Sequence, residues 1–99
     1  MAKATLSVTV NGGKAPGDIQ VSIFREKVLL DSFSKEKSFT KTFQNLTAGN
    51  YILFVHGFNP AGGNTDLGLS GTDITITRPP VNPLNKTGVA YLVEFRFTV

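Results

Sequence analysis

Asn45-Leu46-Thr47-Ala48-Gly49-Asn50-Tyr51 reads as a tight turn opening into a strand, and the fold of the chain is decided there. Gly49 tolerates the positive φ that such a turn needs, because it has no Cβ to clash with the backbone. Tyr51 has a ring to bury and a hydroxyl that can reach a backbone group at the corner of a sandwich. That gives Tyr51 a structural role rather than a catalytic one. The strand it opens, Tyr51 to Phe58, is apolar on both faces as far as Val55. Such a strand is covered on each side or carries a sheet face that meets a partner.

Outward from this segment, period-two alternation dominates and helical spacing is nowhere sustained. Leu6, Val8 and Val10 alternate with Thr5, Ser7 and Thr9 before Asn11-Gly12-Gly13 and Ala15-Pro16-Gly17 break the chain. Ile19, Val21 and Ile23 repeat the pattern, and Val28 to Phe33 predicts a short partner strand. Ser38 to Gln44 alternates Phe39 and Phe43 with polar residues, and Thr72 to Arg78 does the same with Ile74 and Ile76. The last strand places Val89, Tyr91, Val93, Phe95, Phe97 and Val99 on one face. The expectation is an all-β fold of about seven antiparallel strands, an Ig-like sandwich, with a small Greek-key barrel as the rival. Residues 1–99 form a single domain in this reading, since a chain of this length has room for one core. Two long connections remain, the Gly-rich Asn59 to Gly71 and the Pro-rich Pro79 to Gly88. Loops of that length often carry function.

Composition narrows the function. The net charge is +3, and the basic residues are scattered rather than gathered on one face, so no nucleic-acid partner is expected. No apolar run approaches the roughly 18 to 20 residues that cross a bilayer, and no membrane insertion is expected. With no Cys there are no disulfides, thiolate metal sites or cysteine nucleophiles. Eight Phe and two Tyr without a Trp fit the filling of a sandwich core. The N-terminal residues alternate at once and lack a signal-peptide apolar stretch, which leaves the compartment open.

Phe39-Thr40-Lys41-Thr42-Phe43-Gln44-Asn45-Leu46, the Leu-x-x-Gly turn and Tyr51-Ile52-Leu53-Phe54-Val55 together resemble the prealbumin-like group of sandwich domains. That group includes the carboxypeptidase regulatory-like domains and the B-type repeats of bacterial collagen adhesins. Lys14-Ala15-Pro16-Gly17-Asp18-Ile19-Gln20-Val21 is similar to their early Gly-rich turn and strand. The resemblance covers about half of the chain. It implies a prealbumin-like sandwich, and an extracellular or cell-envelope setting. Some adhesin repeats carry a Lys–Asn isopeptide bond. Here Lys3 fits the first-strand position, but the last strand holds no Asn and no acid precedes Gly49 in its turn, so the bond is not expected.

His56 is the sole histidine, which excludes a His-pair metal site. A triad could be drawn from His56, Ser70 and Asp66 or Asp73, yet no serine has a nucleophile-elbow context. No catalytic, cofactor or metal residues are assigned, and the chain is expected not to be an enzyme. Asn59, Asn64 and Asp66 form a candidate binding loop; with Asp73 they offer oxygens to a cation, but without the spacing of a calcium loop, and Asx turns explain them better. The stronger signal is surplus apolar surface. Ile52, Phe54, His56 and Phe58 share one strand face, and Phe24 and Leu92 sit on faces expected to meet solvent. These six residues are the candidate interface. The chain thus reads as a structural or protein-binding module that self-associates or meets a protein partner. A carbohydrate-binding module is the alternative, weakened because neither long loop contains an aromatic residue.

Overall fold

A computed structural model describes residues 2–12, 19–59, 62–78 and 84–99. The expected Gly-rich turn at Lys14 to Asp18, Pro60-Ala61 of the first long connection and residues 79–83 of the second lie outside the described residues. The described residues form nine strands: β1 (Ala2–Asn11), β2 (Ile19–Arg25), β3 (Val28–Lys35), β4 (Phe39–Leu46), β5 (Asn50–Phe58), β6 (Asn64–Thr72), β7 (Thr75–Arg78), β8 (Leu84–Lys86) and β9 (Ala90–Thr98). Two antiparallel sheets face each other, ordered β4-β1-β6-β8 and β3-β2-β5-β9-β7. The architecture is a sandwich, not a closed barrel.

Alternation in the sequence becomes the core directly. Ala4, Leu6 and Val8 of β1 and Leu67 and Leu69 of β6 point inward from one sheet. Ile19, Val21 and Ile23, then Tyr51, Leu53 and Val55, then Tyr91, Val93, Phe95 and Phe97 meet them from the other. Each buried Val, Leu, Ile or Phe among them contributes about 1.5–3 kcal/mol. Tyr51 and Phe97 lie directly opposite on β5 and β9, and their rings stack with centroids 4.9 Å apart.

The turn before Tyr51 is fixed from several sides. Asn45 takes φ 57° where β4 slips its register against β1, and Gly49 takes φ 154°. The Tyr51 hydroxyl donates to the Thr47 carbonyl at 2.7 Å, the corner contact that its position suggested. Arg25 donates from its guanidinium to the Ala48 carbonyl, and Glu26 Oε1 accepts the Asn50 amide at 2.7 Å. A Cβ on Gly49 would stand 2.9 Å from Arg25 Nε, so the absence of a side chain there lets the β2–β3 turn clamp the β4–β5 turn.

Four expectations need correction. The Gly-rich stretch expected as a loop from Asn59 to Gly71 is mostly β6, paired with β1 from Lys3↔Thr72 to Asn11↔Asn64. The Pro-rich connection contains β8, which pairs with β6 from Thr65 to Leu67. These two elements raise the strand number above the expected seven. The strand expected over Thr72 to Arg78 begins only at Thr75, after Asp73 turns the chain with φ 61°. Val89 is 79% exposed rather than in the core, because it precedes β9 at the chain reversal.

Candidate interaction surface

The two outer faces of the sandwich differ in chemistry. On the four-stranded sheet, Lys3, Thr5, Ser7 and Thr9 of β1 stand opposite Thr72, Ser70, Gly68 and Asp66 of β6, and β4 adds Thr40 and Thr42. Thr5 and Thr42 join their hydroxyls at 3.1 Å. That face is polar throughout these rows.

The outer face of the five-stranded sheet is not. Directly opposed residues in an antiparallel sheet share a face. Phe24 lies opposite Ile52, which lies opposite Arg96; Ser22 opposite Phe54 and then Glu94; Gln20 opposite His56 and then Leu92; Phe58 opposite Ala90. All six candidate interface residues, Phe24, Ile52, Phe54, His56, Phe58 and Leu92, therefore come together on this one face. Phe24 and Phe54 are diagonal neighbours packed edge to face, half-buried with Ile52 at the centre. Phe58 and Leu92 project further, 54% and 64% exposed. Arg96 and Glu94 form an ion pair beside them, at 2.5 Å. The result is an aromatic centre flanked by exposed apolar side chains and an ion pair.

One contributor escaped the sequence reading. Leu29 stands opposite Phe24 across the β2–β3 hairpin and extends the patch, 52% exposed. The signal was present as Val28-Leu29-Leu30, three consecutive apolar residues directly after the Glu26-Lys27 turn.

The candidate binding loop does not hold together. Asn64 and Asp66 are on β6, where Asn11 donates to Asn64 Oδ1 and to Asp66 Oδ2, while Asn85 donates to the other Asp66 oxygen. Both carboxylate oxygens of Asp66 are thereby engaged by strand neighbours. Asn59 is buried and turned inward: it donates to the carbonyls of Lys86 and Gly88 and accepts from the Thr65 hydroxyl. Its role is to tie the β8–β9 connection to the core. Nearby, the Tyr91 hydroxyl is buried without a hydrogen bond of ordinary geometry. Burial raises its pKa, an effect that the neighbouring Thr65 hydroxyl partly offsets.

The residues considered for catalysis are also separated. His56 is on the outer face of one sheet, while Asp66 and Ser70 belong to the other sheet, with the core between. Among the described residues no three His, Asp or Glu side chains gather into a group able to hold a metal ion. Lys3 pairs with Thr72 and Asn85 with Asp66, toward opposite ends of β6 and about 20 Å apart at the usual strand rise, so a Lys3–Asn85 bond is out of reach. Compared with known proteins, the chain matches no family model, no curated protein and no solved structure.

Proposed function

We propose that this chain is a non-enzymatic structural or protein-binding module that associates through the outer face of its five-stranded sheet. The asymmetry of the two outer faces supports this reading. A sandwich of this size gains nothing for its own core from Phe24, Ile52, Phe54, Phe58 and Leu92 on the outside, yet these residues are contiguous across three strands. Covering apolar area of this kind contributes roughly 25 cal/mol per Å². The Arg96–Glu94 pair and Gln20 at its border would fix orientation more than affinity.

The testable form of the reading is self-association. Side-chain methyl and aromatic NMR shifts, followed from about 10 μM to about 1 mM, are expected to move with concentration at Phe24, Ile52, Phe54, Phe58 and Leu92. Phe58→Glu with Leu92→Glu, both at exposed positions, is expected to abolish that movement while leaving the fold intact. Invariant shifts on this face over the whole range would overturn the proposal.

A further inference from the structure

The five-stranded sheet ends on one side in β3, whose neighbour among the described residues is β2 alone. We propose that two copies of this chain join antiparallel along β3, about a two-fold axis at Phe33, so that their five-stranded sheets become one. This goes beyond the face described above, since it concerns the strand edge and turns on Asp31, Ser32, Phe33, Ser34 and Lys35.

The direction of the backbone is the first reason. The Ser32 amide is met by the Asp31 carboxylate at 2.8 Å rather than by a strand, so it points away from β2. The Ser32 and Ser22 hydroxyls lie 3.3 Å apart, which places the Ser32 side chain on the outer sheet face. Amides alternate in direction along a strand. Ser34 therefore also points its amide outward, while Phe33 and Lys35 turn theirs toward Val21 and Ile19.

Charge is the second reason, and it selects the register. With Ser32 opposite Ser34 of the second copy, the Asp31 carboxylate gives up the Ser32 amide, and both outward amides and carbonyls pair, giving about four backbone hydrogen bonds across the axis. Asp31 then faces Lys35 of the second copy, and symmetry repeats that pair. Phe33 meets its own counterpart in a position where side chains approach closely. Phe33 already stands against Phe39 and Phe43, with the Lys41 ammonium 5.9 Å from its ring centroid. Sliding the axis to Ser32 puts Asp31 opposite Phe33 and Lys35 opposite Leu29. Sliding it to Ser34 puts Lys35 opposite Phe33. Only the axis at Phe33 pairs both charges within the strand.

Third, this edge is the longer of the two in its sheet. Charges and proline commonly blunt exposed strand edges. β3 has eight residues, no proline, and Val28, Leu29 and Leu30 exposed at 62%, 52% and 49%. Its two charges complement a second copy of the strand in this register. At the other end of the sheet β7 has only four residues, a shorter template.

Charge exchange tests this. Sedimentation equilibrium of the wild-type chain is expected to show a dimer forming at high micromolar concentration. Asp31→Lys and Lys35→Asp, each alone, create like-charge pairs and are expected to weaken it about tenfold or more. The double variant D31K/K35D, and an equimolar mixture of the two single variants, are expected to restore it. Ser34→Pro removes an outward amide that the monomer does not use in its sheet, so it should abolish the dimer while circular dichroism stays unchanged. A wild-type monomer at millimolar concentration overturns the proposal. So does a dimer indifferent to these variants but lost in F58E/L92E, which would instead locate association on the sheet face.

Discussion

Phe24 and Phe54 meet edge to face, ring centroids 5.9 Å apart and planes at 86°, on the side of the sheet that turns away from the core. Their pairing is diagonal, since Phe24 stands opposite Ile52 and Phe54 opposite Ser22. A double-mutant cycle of Phe24→Ala and Phe54→Ala in urea denaturation is expected to give a coupling of about 1 kcal/mol. Each single change should cost less than an equivalent core truncation, because both rings are only half-buried.

Tyr51 offers a cleaner separation of hydrogen bond from packing. Tyr51→Phe keeps the stack on Phe97 and loses only the bond to the Thr47 carbonyl. The expected loss is about 1 kcal/mol. Tyr51→Ala also removes the ring from a nearly inaccessible site and is expected to cost about 3–5 kcal/mol. Melting curves of the two variants against wild type measure the difference.

At Tyr91 the expectation runs the other way. Its buried hydroxyl has no well-formed partner, so Tyr91→Phe should leave stability unchanged or raise it. The raised pKa also has a pH consequence. The folded chain retains the Tyr91 proton where the unfolded chain releases it, so stability is complete below pH 10 and falls as pH rises beyond that value. Denaturation series from neutral pH to about pH 11.5 in wild type and Tyr91→Phe are the measurement. The variant should show a smaller alkaline loss.

Asn59 was a candidate ligand in the sequence and is a buried strut in the structure. Asn59→Ala leaves the Thr65 hydroxyl and the carbonyls of Lys86 and Gly88 without their partner. A loss of about 2 kcal/mol or more is expected. Added calcium should not shift the melting temperature of wild type or variant, which differential scanning calorimetry can check.

The failed loop shows why part of the fold was illegible. Asn64 to Thr72 contains Asn64, Asp66, Gly68 and Gly71, residue types depleted in strands. The stretch nevertheless alternates, with Thr65, Leu67 and Leu69 buried and their neighbours less so. A weak local preference is overridden by pairing with β1 over its whole length. Gly71 even serves that arrangement: a Cβ there would run into the Lys3 carbonyl and stand 2.6 Å from Ile74 Cδ1. The shared face of Phe24, Ile52, Phe54, His56, Phe58 and Leu92 was easier to read, because all six lie in strands whose inward partners were unmistakable. Once Leu53 and Val55 face the core, Ile52, Phe54 and His56 must face away.

The sequence by itself determined the inward set of the strongest strands, the corner at Thr47 to Tyr51 and the surplus of apolar side chains on the strand that follows. Local alternation and turn chemistry are written in neighbouring residues, so they survive without any knowledge of partners. Tertiary structure alone decided which strands are neighbours. It made a Gly-rich stretch into β6, turned Asn59 from the surface into a strut, and placed Phe24 and Leu92 beside Phe54. It also left β3 at the end of its sheet. Those outcomes depend on contacts between residues far apart in the chain, and no local pattern encodes which distant strand will supply them.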